Sequence, residues 1–148
     1  MTHLIDLAEY ILAKMGPMTA TRLQKLLYYC QAWHLVWTEH PLFSEKIEAW
    51  KNGPIIPNLY HLYKGHWKVY AGFFYERLPE KLPSDLTENE KDSVNRVLEF
   101  YGHRDAHWLN QLVHMEEPWK AVKPKNHDPD HLMKEITPLS IHEYYCSI

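Results

Sequence analysis

The chain has 148 residues, of which 45% are hydrophobic and 14% aromatic, enough to build one domain with a core of its own. Its formal charge of −3 and pI of about 6.4 come with no basic stripe, which sets aside phosphate-tracking proteins, so direct nucleic-acid binding is not expected. Ten prolines are scattered through a sequence with 24% charged residues, and disorder is not the default reading.

Between His3 and Met15 the apolar residues Leu4, Ala8, Ile11, Leu12 and Met15 fall on one helical stripe, which Gly16-Pro17 ends. Thr19 is a good N-cap for a second helix reaching Thr38. Its stripe runs through Leu23, Leu26, Leu27, Cys30, His34 and Trp37, with Tyr28, Tyr29 and Trp33 on its flanks. Such a helix is apolar around most of its circumference and belongs at the centre of the fold. Trp33, Trp37 and, further on, Trp108 are expected to pack in the core.

His40-Pro41 breaks that helix. Ile47-Glu48-Ala49-Trp50 alternates like a short strand, Asn52-Gly53-Pro54 reads as a turn, and Pro57 opens a short helix carrying Leu59, Tyr60, Leu62 and Tyr63. Val69–Tyr75 reads as a second strand, weakened by Gly72, and Leu78–Asp85 as a surface loop. Thr87 and Glu90 form a capping box for a helix using Val94, Val97, Leu98 and Tyr101 and stopping at Gly102. Asp105 caps the next helix, with Leu109, Leu112 and Val113 inward. Pro118 opens a short helical turn bearing Trp119, Asn126–Asp130 is loop, and Thr137-Pro138 begins a last helix that docks through Ile141, Tyr144, Tyr145 and Ile148. No repeat or linker interrupts this pattern. The expected fold is a single domain over residues 1–148, mostly α with a small extended or β part at the margin of α+β, around a central apolar helix at about residues 20–37.

Cys30 and Cys146 are the only cysteines, and Cys30 sits in an apolar run, which favours a reducing compartment. An acid at Asp6 stands where a signal peptide would be basic, and the charge-free run Leu26–Thr38 is too short to span a bilayer. A cytoplasmic location without membrane association is expected.

Eleven histidines invite a metal site, best placed at His103, His107, His114 and Glu116 or Glu117. His107 and His114 are seven apart, roughly 10 Å along a helix, too far to share one zinc ion. No HExxH, GxSxG, GxxxxGK[ST] or GxGxxG pattern occurs, and the adjacent Glu116-Glu117 pair points to different faces. Neither metal, cofactor nor catalytic residue is expected. Six tryptophans and ten tyrosines are the unusual quantity, and aromatics dominate both cores and protein-binding hot spots.

Several blocks together carry a resemblance. Leu23-Gln24-Lys25-Leu26-Leu27-Tyr28-Tyr29-Cys30-Gln31-Ala32-Trp33-His34-Leu35 is followed by Ile47-Glu48-Ala49-Trp50, then Gly53-Pro54-Ile55-Ile56-Pro57 with Leu59-Tyr60, and then His114-Met115-Glu116-Glu117-Pro118-Trp119. In this order and spacing they resemble the Panacea domain of SocA-like antitoxins, a group that takes in phage-associated GepA-like proteins. Val113 and Ala20-Thr21-Arg22 depart from the usual pattern. The resemblance implies a mostly α antitoxin of a bacterial or prophage toxin–antitoxin pair that neutralises a cognate toxin, encoded nearby, by direct binding. Some relatives carry an added DNA-binding segment, for which this sequence has no spare length. The implied motif residues, structural or partner-binding, are Gln24, Lys25, Tyr28, Trp33, Glu48, Trp50, Gly53, Pro54, Pro57, Tyr60, His114, Glu116 and Trp119. Glu48, His114 and Trp119 are expected to form a polar clasp on the Gly53 turn. The alternatives are an adaptor delivering a toxin to a protease and a metal-dependent enzyme built on the histidines.

Overall fold

A computed structural model describes residues 2–125 and 133–148. The first helix, α1 (Thr2–Met15), ends at Gly16, whose φ of +86° suits a residue without a Cβ. A two-residue strand β1 (Met18–Thr19) leads into α2 (Ala20–Thr38), where the Thr19 hydroxyl accepts from the Arg22 amide as a capping residue should. Helix α2 is the axis of the molecule. From Leu23 to Leu35 every residue but the half-buried Trp33 is buried, packed by α1, by α5 (Glu88–Tyr101), α6 (Ala106–Met115) and α8 (Pro138–Cys146), and by two small sheets.

The first sheet pairs β1 with β4 (Lys68–Val69), antiparallel, Met18 opposite Val69. The second has the order β3-β2-β5, with β2 (Ile47–Trp50) between β3 (Gly53–Ile55) and β5 (Lys134–Ile136), both antiparallel to it. Trp50 faces Gly53 and Ala49 faces Pro54 in the β2–β3 hairpin; Ile47 faces Ile136 across the other ladder. Pro54 is tolerated because β3 is an edge strand. Strand β5, just before the Thr137 cap, completes a sheet that the sequence reading does not anticipate.

Two glutamines of α2 hold the irregular chain that follows. The Gln31 carboxamide accepts from the Leu42 amide at 2.7 Å and donates to the Phe43 carbonyl at 2.9 Å. One turn pair earlier, Gln24 accepts from the Ile56 amide at 2.9 Å and donates to the Ile56 carbonyl and the Tyr63 hydroxyl, both at 3.2 Å. Each side chain thus serves as a one-residue strand partner inside the core, satisfying backbone groups that water does not reach.

The helical boundaries expected at Thr19, Pro57, Thr87, Asp105 and Thr137 all hold. Helix α3 (Pro57–Tyr63) has its proline in the first turn, the Thr87–Glu90 box closes in both directions, and Asp105 and Thr137 accept from Trp108 and Ser140. The expectation of a strand over Val69–Tyr75 does not hold: beyond Val69 the chain turns at Gly72, with φ +95°, into the short helix α4 (Phe73–Arg77). The cause lies on α1. The Glu9 carboxylate accepts from the amides of Gly72, Phe74 and Tyr75, which are the free donors of a helix start and cannot be ladder donors at the same time. Beside it, buried Asp6 receives the Lys81 ammonium at 2.9 Å and the Tyr75 hydroxyl at 2.7 Å, fixing the Leu78–Asp85 loop. Burial works against the Asp6 carboxylate, but Tyr75, Lys81 and the Ser84 amide more than offset it and hold its pKa below the ordinary value. The loop expected at Asn126–Asp130 lies outside the described residues.

Replacing Gln31 by leucine leaves the Leu42 amide and the Phe43 carbonyl buried without partners. The expected loss is about 3 kcal/mol in urea unfolding, well above the ~1 kcal/mol of removing the exposed cap in Thr87→Ala.

Candidate functional site

The motif residues gather in two adjoining places. The first is the β2–β3 hairpin and what lies beneath it. The Trp119 indole, on the short helix α7 (Glu117–Lys120), donates to the Trp50 carbonyl at 2.9 Å. His114, at the end of α6, stacks edge-on against Trp119 with ring centres 4.0 Å apart, donates from Nδ1 to the Asn110 carbonyl and sets Nε2 3.4 Å from the Lys51 carbonyl. Together they pin the hairpin turn to α6. Glu48 does not join them. It accepts from the Trp50 indole at 2.9 Å on the outward side of β2, because residues 48 and 50 share one face of a strand. Tyr60 of α3 packs edge-on to Trp50, and Pro57 sets the start of that helix.

Gly53 is the closest approach. Its φ is +125°, and a Cβ there would lie 3.3 Å from the Asn110 Oδ1 and 3.4 Å from the Lys25 Nζ. Lys25 is buried on α2, and no hydrogen bond or ion pair to its ammonium is found among the described residues; the side-chain Oδ1 of Asn110 is likewise buried without a partner among them. Burial away from any carboxylate pushes the Lys25 pKa down to about 8.

The second place is below α7. The backbone turn between α6 and α7 aims Glu116 inward, where Oε1 accepts from the Tyr29 hydroxyl at 2.6 Å and the Tyr145 hydroxyl at 2.8 Å. The Tyr28 and Tyr145 hydroxyls lie 3.1 Å apart, and Tyr29 stacks on Tyr101 at 4.2 Å. Burial and the neighbouring acid push the Tyr28, Tyr29 and Tyr145 phenols far above their ordinary range, and Tyr101, chiefly by burial, to about 12. All remain donors at neutral pH. Burial outweighs the two phenol hydrogen bonds at Glu116, and its carboxyl sits above the ordinary value.

Above this cluster the surface opens into an apolar groove of about 770 Å³ between α2, α5, α6 and the end of α8, with Glu116 in its lining. Trp33, Trp37 and Trp108 were expected in the core, and this expectation is corrected: all three line the groove, and Trp37 is 36% exposed. The C-terminal turns of α2 run beyond the helices that cover its middle, so the same stripe that is core at Leu27 is surface at Trp37. The rings are nonetheless ordered. The Trp33 indole donates to the Tyr101 hydroxyl at 3.0 Å, the Arg96 guanidinium lies 3.8 Å over Trp37, and Arg104 lies 4.5 Å over Trp108. Phe100 and Arg96 were not singled out from sequence, and Tyr29, Tyr101 and Tyr145 were read only as helix-packing residues; a cue was present in the exposed-face position of Phe100 beside Tyr101 on an amphipathic helix.

Among the described residues no group of three His, Cys, Asp or Glu side chains stands close enough to hold a metal ion, and His103, His107 and His114 do not converge. No described helix is long and apolar enough to cross a membrane.

A family model described as "Antitoxin SocA-like, Panacea domain" matches residues 23–120, from the second turn of α2 to the end of α7. The chain belongs to the Panacea family. No curated protein and no solved structure matches it. The matched span of this Panacea chain takes in the hairpin, the Lys25 pocket and Glu116 with Tyr28, Tyr29 and Tyr101, while α1 and α8, which supplies Tyr145, lie outside it.

The Lys25 pocket makes a pH prediction. With a folded pKa of about 8 against 10.5 unfolded, the unfolded chain binds a proton that the folded chain lacks between those values, so stability rises with pH across that window. Lys25→Met is expected to be the more stable protein at pH 7, with the gap closing by about 3 kcal/mol between pH 7.5 and 10.5 in parallel urea titrations. A constant gap contradicts the unpaired ammonium.

Proposed function

We propose that this protein is the antitoxin of a toxin–antitoxin pair and neutralises a cytoplasmic protein toxin, encoded beside it, by binding it directly. The observation that carries the reading is membership of the SocA-like antitoxin family over residues 23–120. The arrangement of the surface supports it. Histidines and carboxylates are dispersed or engaged in holding backbone, whereas ordered aromatic rings stand at a solvent-facing groove, the composition of protein-binding hot spots. Membership of that family and the same contrast support a non-enzymatic role. The motif residues Gln24, Gly53, His114 and Trp119 are occupied in pinning the hairpin to α2 and α6, so their role is to hold the scaffold rather than to touch the toxin.

Co-expression tests the reading. The neighbouring reading frame, induced alone, is expected to arrest growth; with this chain present, growth is restored and the two proteins co-purify with the toxin's lifetime unchanged. Absence of rescue and of co-purification sinks the antitoxin reading. Rescue that depends on a protease and shortens the toxin's lifetime replaces simple blocking with delivery for degradation.

A further inference from the structure

The groove between α2, α5 and α6 has walls and a floor of different chemistry. Its walls are the rings of Trp33, Trp37, Phe100 and Trp108. Trp33 is held by Tyr101 and stacks with Trp37 at 5.9 Å, so the walls stand ready without ordering cost to a ligand. Ring faces attract cations, and this chain already uses two of them so: Arg96 over Trp37 and Arg104 over Trp108.

The floor carries Glu116, 7% exposed. Its Oε1 takes both phenol hydrogen bonds, and no cationic group lies within ion-pairing distance of it among the described residues. An amide oxygen would serve the two phenols equally well. The carboxylate adds a negative charge that the fold itself does not answer, and a buried acid without a counter-ion is costly until a cation reaches it. At the rim Arg96, Arg104 and Glu99 are all exposed and screened by solvent, so the preference inside the groove is set at its buried floor.

Resting on the antitoxin reading, we propose that this groove is the toxin-docking face and that its central occupant is a basic side chain of the toxin, lysine or arginine, with its aliphatic stem between the tryptophans and its charge at Glu116. An acidic segment or a nucleic-acid phosphate is disfavoured there by the same charge. An apolar side chain of equal length would fill the walls and leave the floor unanswered.

Two experiments read the two parts separately. The ¹⁵N-labelled full-length chain is titrated with Ac-Leu-Xaa-Leu-NH₂ peptides in which Xaa is arginine, lysine, norleucine or glutamate. The arginine and lysine peptides are expected to shift the indole resonances of Trp33, Trp37 and Trp108 and to bind at least about fivefold more tightly than the norleucine peptide. Glu116→Gln is expected to erase that preference while leaving norleucine binding in place. Equal binding of norleucine, an unaltered preference in Glu116→Gln, or shifts confined to another face would overturn the cationic occupant. In the second experiment Phe100→Lys, at a side chain 68% exposed and so harmless to folding by thermal melt, places a tethered cation at the groove. It is expected to abolish co-purification with the toxin that the parent chain retains. If Phe100→Lys still binds toxin, docking at the groove is wrong and the antitoxin reading stands. If the parent chain itself binds no toxin, the antitoxin reading is wrong, and with it the toxin as occupant, while the peptide titration still decides the chemistry of the groove.

Discussion

A helix buried through its middle must have each polar group it carries there answered from within the protein, and α2 between Leu23 and Leu35 is such a helix. Its apolar residues explain why the core forms, but its polar ones decide the architecture. Gln24 and Gln31, seven residues apart and therefore on one face, each capture a backbone amide and carbonyl of the chain that leaves α2 at Thr38. That is how the irregular run over residues 39–46 and the β2–β3 hairpin after it become fixed against the core. His34 continues the pattern on another face, its Nδ1 2.8 Å from the Ser93 hydroxyl of α5. Removing any one of these leaves donors and acceptors in a place that water does not reach, which is why they weigh more than a surface ion pair such as Lys91 with Glu88.

Two positions go against this economy. Among the described residues Lys25 keeps an ammonium in the interior without a carboxylate, and Glu116 an acid without a cation. They lie at the two motif places, under the hairpin and under the groove, and they differ in kind. Lys25 sits close behind Gly53, where the hairpin covers it. Glu116 lines the open groove and meets whatever enters it. A scaffold that pins one loop tightly and leaves an aromatic, acid-floored groove open is suited to recognising a partner by a single anchored side chain, with rim residues such as Phe100 and Glu99 free to differ between partners.

What the sequence makes legible follows from the range of the signal. Thr19, Thr87 with Glu90, Asp105 and Thr137 cap their helices through bonds to residues three positions on, so the boundary can be read from five or six letters. The family blocks are equally local. Val69–Tyr75 was misread because the deciding partner, Glu9, is more than sixty residues away; β-prone aromatics around Gly72 adopt a helix once a distant carboxylate supplies the acceptor for its first amides. Trp33, Trp37 and Trp108 were misplaced for a different reason. Helical spacing tells which residues share a face but not how far the covering helices extend along it. The Glu116 cluster draws its hydroxyls from α2 and α8, and no spacing in the chain announces that meeting.

The central claim is that the pinned hairpin is scaffold and the groove is the working face. Hydrogen–deuterium exchange of the chain alone and in complex with the protein encoded beside it tests this most directly. The account expects new protection in residues 96–112 and at the C-terminal turns of α2, with the β2–β3 hairpin, already closed by Trp119 and His114, unchanged. Protection concentrated in residues 47–60, with the groove exchanging as before, would contradict it.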